Sequence, residues 1–306
     1  TVLRGMASAL AVAAWPLRAA DTPGYEAVDL DWIDGARERP VPVRLYLPRA
    51  ASRSAPVPLV VFSHGIGGSR RGYSYLGQHF ARHGVASLHL QHVGSDRNLW
   101  TGSVWSLVSR LQGAAQDAEA MARARDLSFA LDRLLADDLA PRIDGGRIVA
   151  AGHSYGANTT LLASGARVLR EGRVVSLRDD RVQGAIAISA PPFYGEGETR
   201  AILGAVTVPS LHITATEDII RIPGYYSGAQ DRLDVFDATG STRKWLAVFE
   251  GGSHAMFTDR VQNPQVKAAT QALTLAFVRS VFDGDESALA AWPQQHTAIL
   301  ARFTAP

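Results

Sequence analysis

Hydrophobic and polar positions alternate with a period of two in residues 25–32 and again in 41–47, on either side of the turn-forming pair Asp34-Gly35. That pattern predicts two strands joined as an antiparallel hairpin at the edge of a sheet. The alternation then gives way to continuous apolar runs. Pro58-Leu-Val-Val-Phe-Ser63 is bounded by proline and by His64-Gly65, as expected of a central parallel strand buried on both faces. Residues 73–83 change to a helical period, and 85–90 form a second apolar strand. The same succession continues with a helix over 114–135, a strand over 147–151, a helix over 156–169 and strands over 182–188, 208–214 and 245–249. A helix over 264–282 follows. Helices and strands in this order predict an α/β fold with a mostly parallel central sheet and right-handed crossovers. Two stretches fit the alternation poorly, 94–113 and 221–242. Both follow strands, where the site-forming loops of such sheets are built.

Composition narrows the function classes. Of the 306 residues, 31 are basic and 29 acidic, without a basic block, which leaves a nucleic-acid or anionic-membrane partner unsupported. There are no cysteines, so disulfides, thiolate metal sites and a cysteine nucleophile are excluded. No cluster with metal-ligand spacing is evident, and neither a metal nor an organic cofactor is expected. Residues 1–20 combine Arg4, an apolar run over 6–15, and Ala19-Ala20 before Asp21. A charged start, a short apolar stretch and small residues at a cut site read as a secretory signal, which places the mature protein in an exported compartment. The run is too short for a membrane span. The other reading of this segment is an amphipathic helix packed on the domain. The remainder, 21–306, is expected to form one domain.

The chemistry starts at Gly152-His153-Ser154-Tyr155-Gly156, a G-x-S-x-G placed between an apolar strand and a helix. In that context the serine sits on a sharp strand-to-helix turn with its hydroxyl exposed, and bulk two positions away on either side would clash. Ser154 is therefore the candidate nucleophile. Such an elbow takes one oxyanion donor from the residue after the serine, here the Tyr155 amide, and another from the loop after the first long parallel strand. That loop is His64-Gly-Ile-Gly-Gly68, and Ile66 is the candidate second donor; His64 is expected to pin the loop. A serine hydroxyl needs an adjacent imidazole to take its proton. Among nine histidines, His254 stands in a glycine-rich loop, Glu250-Gly-Gly-Ser-His254, after the last predicted strand. The chain order serine, acid, histidine puts the acid at the end of Pro209-Ser-Leu-His-Ile-Thr-Ala-Thr-Glu-Asp218, where Asp218 is preferred over Glu217. Trp100, Trp105, Phe193 and Phe257, with Tyr194, fall in loops on the same side. They either line an apolar acyl or aryl pocket or pin those loops.

Together, residues 62–75, 83–92, 125–132 and 152–156 resemble platelet-activating-factor acetylhydrolases and the related dienelactone-hydrolase-like esterases. The resemblance implies the α/β-hydrolase fold and ester or thioester hydrolysis without a cofactor, with Ile66 and Tyr155 forming the oxyanion hole. Two departures accompany it. The acetylhydrolases carry their acid after the strand that follows the nucleophile helix, but here that strand ends in Ile188-Ser-Ala-Pro-Pro192 without a carboxylate. True dienelactone hydrolases use cysteine. The expected function is a serine carboxylic-ester hydrolase acting on small to medium apolar or aryl esters. The alternatives are a polyester or cutinase-like hydrolase, or an amidase or thioesterase on the same triad. A non-catalytic binding protein is disfavoured by the complete Ser154, Asp218 and His254 set.

Overall fold

The hairpin at the start of the chain is β1 (Tyr25–Asp34) and β2 (Arg39–Pro48), paired antiparallel with Trp32 opposite Val41. The structure, a computed structural model, describes residues 24–101, 103, 106–193, 197–222 and 225–306. The segment read as a signal lies outside them. Beyond the hairpin come β3 (Val57–Ser63), α1 (Ser74–Arg82), β4 (Ala86–Leu90), α2 (Leu107–Ala114) and α3 (Asp117–Leu135). Next are β5 (Ile143–His153), α4 (Tyr155–Ala163), and a small hairpin of β6 (Arg167–Arg170) with β7 (Arg173–Ser176). After β8 (Val182–Ile188), α5 (Thr199–Leu203) and β9 (Ser210–Ala215), a second small hairpin pairs β10 (Ile220–Ile222) with β11 (Tyr225–Ser227). The chain closes with α6 (Gln230–Ala238), β12 (Lys244–Phe249), α7 (Pro264–Asp283), α8 (Ser287–Gln295) and β13 (Leu300–Thr304).

Nine strands form the main sheet, in the order β1-β2-β4-β3-β5-β8-β9-β12-β13. From β4 across to β12 all neighbours run parallel, and the edges are antiparallel. The mostly parallel sheet with its N-terminal hairpin is as the sequence pattern predicts. Because strand side chains alternate between faces, β3 serves two cores at once. Val60 and Phe62 pack with residues of α1, α7 and α8, whereas Leu59 and Val61 pack with Leu127, Leu131 and Leu134 of α3.

Local sequence explains several boundaries. At the start of α7 the Asn263 side chain accepts the Val266 N–H at 3.1 Å, and Pro264 takes the first turn, where its missing N–H costs nothing. Gly284, at φ 70°, ends that helix in the left-handed conformation. Two expected helices are shorter than predicted. The helix expected over 114–135 is α3, which begins three residues later at Asp117, after α2 has ended at Ala114. The one expected over 156–169 stops at Ala163, because Gly165 at φ 122° reverses the chain into β6.

Candidate active site

The strand order reverses between β3 and β5: the chain passes from β3 to β4 on one side, then returns to the other side of β3 with β5. Loops at the carboxyl ends of strands flanking such a switch point diverge and leave a crevice. The His64–Gly68 loop leaves β3 and Ser154 leaves β5, one on each side of it. Beyond β8 along the same sheet edge, Asp218 follows β9 and His254 follows β12.

Ser154 joins β5 to α4 at φ 56° and ψ −123°. A non-glycine residue held at positive φ carries strain of roughly 1–3 kcal/mol, which the surrounding structure must impose. Here it does. A Cβ on Gly156 would lie 1.9 Å from the Ser63 carbonyl oxygen, and one on Gly152 would lie 2.1 Å from that of Gly156. The close approach of β3, β5 and α4 thus requires both glycines of the motif. The Ser154 N–H donates to the Ile188 carbonyl at 2.8 Å, tying the turn to β8. Tyr155 opens a helix whose residues are all buried.

The His64–Gly68 loop, expected to hold one oxyanion donor, is braced from several directions. His64, buried, donates from Nδ1 to the Gly65 carbonyl at 2.7 Å and accepts the His92 N–H on Nε2 at 3.1 Å. The Gly67 N–H donates to the Ser95 carbonyl at 2.8 Å, and the Trp100 indole donates to the Gly67 carbonyl at 2.9 Å. Arg123, fully buried, donates to the His64 carbonyl, to Ser95 Oγ and to Thr159 Oγ1, with its guanidinium 4.6 Å from the centre of the Tyr155 ring. The Ile66 side chain, partly buried, packs with Leu99, Leu111 and Ala114. Among the described residues, neither the Ile66 nor the Tyr155 amide has an acceptor.

His254 begins a 3₁₀ turn (His254–Phe257), and its Nδ1 donates to Asp218 Oδ1 at 2.7 Å. The other carboxylate oxygen accepts from Thr214 Oγ1 at 2.8 Å. Asp218 is fully buried and Glu217 exposed, so of the two neighbouring carboxylates only the second meets the imidazole. Arg232 of α6, also buried, places Nε 3.6 Å from Asp218 Oδ1. Burial works to raise the Asp218 pKa, but the hydrogen bond from His254 and the charges of His254 and Arg232 outweigh it and hold the carboxyl below the usual range. The His254 ring reaches the elbow through His153. Their ring centres are 4.7 Å apart, and His153 Nε2 donates to the His254 carbonyl at 3.0 Å.

This frame is that of a known family. The profile of the alpha/beta hydrolase family matches residues 60–305, from β3 to the last strand. The chain belongs to the alpha/beta hydrolase family. No curated protein matches it.

The expected aromatic positions of the hydrolase separate. Trp100 is half-exposed beside the His64–Gly68 loop. Phe193 lines a narrow crevice with Tyr155, Asn158, Leu162 and Met121. Phe257 does not face a pocket. The 3₁₀ turn carries it inward, fully buried against Phe249 and His153. Trp105 and Tyr194 lie outside the described residues.

The structure also adds residues that motif reading passed over: Tyr73, His92, Arg123, Thr214 and Arg232, with His153 between the two motif positions it separates. A signal existed for Arg123 and Asp126, two charged residues on the otherwise apolar stripe Ala124, Leu127, Ala130, Leu131 and Leu134 of α3. Asp126 accepts from His92 Nδ1 at 3.1 Å, and His92 Nε2 accepts from Ser63 Oγ at 3.0 Å. This second Ser–His–Asp set has the connectivity of a triad but is wholly buried. No ester reaches it, and it anchors the end of β3 instead. Among the described residues of the hydrolase, no group of three or more potential metal ligands occurs, and no helix is long and apolar enough to cross a membrane.

Proposed function

We propose that the chain is a serine carboxylic-ester hydrolase that works through an acyl-enzyme on small to medium apolar or aryl esters. One observation carries this reading: the His254 side chain bonds to the buried Asp218 and packs on His153, next to a strained serine, and among the described residues the Ile66 and Tyr155 amides have no acceptor. With Nδ1 of His254 committed to Asp218, Nε2 is the nitrogen left to take the Ser154 proton. Ser154 Oγ then attacks the ester carbonyl and its oxygen becomes an oxyanion. The Ile66 and Tyr155 N–H groups receive that charge, each contributing ~3 kcal/mol of transition-state stabilisation. The tetrahedral intermediate collapses as His254 returns the proton to the leaving alcohol. Water, deprotonated by the same nitrogen, releases the acid by the reverse of the same steps. Asp218 holds the imidazole in the tautomer that both half-reactions need and stabilises the imidazolium.

Esters rather than amides are supported by the resemblance of residues 62–75 and 152–156 to acetylhydrolases and related esterases. The N-terminal signal pattern supports an exported enzyme. A panel of p-nitrophenyl esters of rising chain length, run beside matched anilides, tests the reaction class. A fluorophosphonate tests the nucleophile: it should label Ser154 in the wild-type protein and leave a folded Ser154→Ala variant unlabelled and inactive. Labelling at another residue, with hydrolysis surviving in Ser154→Ala, is the result that would overturn the proposal.

A further inference from the structure

We propose that Tyr73 and His153 are positioning residues that lock the oxyanion loop and the His254 loop to each other through a directional chain of hydrogen bonds. This rests on the reading of Ser154 and His254 as nucleophile and base.

Donor and acceptor chemistry fixes the direction of the chain. The His254 carbonyl can only accept, so the proton in its 3.0 Å contact belongs to His153 Nε2. A neutral ring protonated there has an acceptor at Nδ1, and the Tyr73 hydroxyl donates to it at 2.8 Å. The Tyr73 oxygen keeps lone pairs, one of which faces the Gly65 N–H at 3.5 Å. Burial pushes the His153 imidazole down to about 3, so the ring remains neutral and the sequence of donors persists through the pH range in which esterases are assayed. A charged His153 would face the imidazolium of His254 at 4.7 Å between ring centres. Its neutrality removes that repulsion at the moment the base takes up its proton.

The chain spans three loops that the backbone does not connect locally. Gly65 is held at its N–H by Tyr73 and at its carbonyl by His64. That carbonyl belongs to the same peptide plane as the Ile66 N–H. At the other end, the His254 carbonyl is held within the residue whose ring must meet Ser154. The separation between the oxyanion donor and the base is therefore set by two side chains.

Tyr73 bears a second mark of this role. It is the residue before α1, at φ 55°, and its side chain makes no capping bond to that helix. Neither conformational ease nor capping favours tyrosine there, since glycine suits the first and Ser, Thr, Asp or Asn the second. What tyrosine alone supplies is a hydroxyl long enough to reach His153.

The test uses the full chain and steady-state kinetics on a p-nitrophenyl ester that it hydrolyses. Tyr73→Phe and His153→Leu should each lower kcat by about 10- to 100-fold, the usual loss when a reacting group is misplaced by about an ångström. KM should stay within about twofold and the melting temperature close to wild type, as for a loss confined to the transition state. His153→Gln, whose amide can donate to the His254 carbonyl and accept from Tyr73, should restore kcat to within about fivefold of wild type. Histidine ¹⁵N NMR should show His153 protonated on Nε2 in the wild type and a mixture of tautomers in Tyr73→Phe. Protonation on Nδ1 in the wild type overturns the inference. So does wild-type kcat in folded Tyr73→Phe and His153→Leu, or a loss that follows the melting temperature and is not rescued by Gln. If the fluorophosphonate leaves Ser154 untouched, the underlying function fails instead, and the tautomer measurement still decides the chain.

Discussion

At the scale of single residues, the choice between two adjacent carboxylates shows what a motif holds and what it omits. Glu217 and Asp218 are equally acidic in sequence, and only a convention about strand ends favours the second. The structure adds the reason. The backbone turns after β9, where the Asp218 N–H bonds to the Ala215 carbonyl at 3.2 Å, and this sends Asp218 inward and Glu217 to solvent. Asp218→Asn keeps the shape but offers His254 an amide that stabilises the wrong tautomer, and kcat should fall by about 10⁴-fold, as in other triads. Glu217→Gln changes only an exposed group and should leave kcat within about twofold, with stability within about 0.5 kcal/mol. Measured kcat for the two variants, with melting curves, checks the assignment; interchanged effects would move the acid to Glu217. The aromatic positions were less legible. Nothing in the sequence separates Phe257, which turns into the core, from Trp100, which stays half-exposed against the His64–Gly68 loop. The difference arises from a 3₁₀ turn that only tertiary packing sets.

At the scale of elements, the strands of the parallel core were readable because burial on both faces leaves continuous apolar runs. β8 occupies the predicted 182–188, and β12 differs from its prediction by one residue. Elements built at the periphery were not. β6 and β7 are four residues each, β7 is largely exposed, β13 is an edge strand of five, and α8 contains Pro293. Such short or irregular segments carry too few apolar positions to display a period. The poorly patterned stretches 94–113 and 221–242 supply neighbours of the site: Leu99 and Leu111 pack on Ile66, and Arg232 of α6 meets Asp218. The junction of β3, β5 and α4 is where element packing meets chemistry. Gly156→Ala forces a methyl group against the Ser63 carbonyl, so β3 must move away from the elbow and carry the His64–Gly68 loop with it. The variant should lose about 1–3 kcal/mol or more of stability from overpacking, and kcat should fall further than stability alone explains. Gly35→Ala is the control. A Cβ there meets nothing within 4 Å, and both quantities should stay near wild type. Equal effects in the two variants, by urea denaturation and kinetics, would remove the argument for close approach.

At the scale of the whole molecule, histidines set the response to acid. His64, His89, His92, His153 and His212 are all buried. Burial is the main cause that pushes His89 down to about 4, His92, His153 and His212 to about 3, and His64 well below the ordinary value. In the unfolded chain each ring titrates near the usual ~6.5. Below that pH the unfolded state binds protons that the folded state refuses, so stability rises with pH and falls as acid is added. The contribution of these neutral rings is fully present above about pH 6.5 and is lost as the pH drops toward their folded values. Depressed carboxylates such as Asp218 and Asp126 act in the same direction, but in a lower window that opens near pH 4. Each ring adds a slope of about 1.4 kcal/mol per pH unit, against a total stability of typically 5–15 kcal/mol. Cooperative unfolding is therefore expected at about pH 4.5–5.5, before the carboxylates of the site protonate. Urea denaturation at a series of pH values from 7 down to the acid midpoint should give a stability that falls ever more steeply, approaching one proton for each such ring. His212 offers a way to count them. Its Nε2 has no partner among the described residues, and its ring packs edge-on against Phe236. His212→Leu should lower the slope by about one proton, move the acid midpoint downward and leave kcat at neutral pH unchanged. A stability that stays flat from pH 7 to 4, or a slope untouched by His212→Leu, would mean that these rings titrate alike in the folded and unfolded chain.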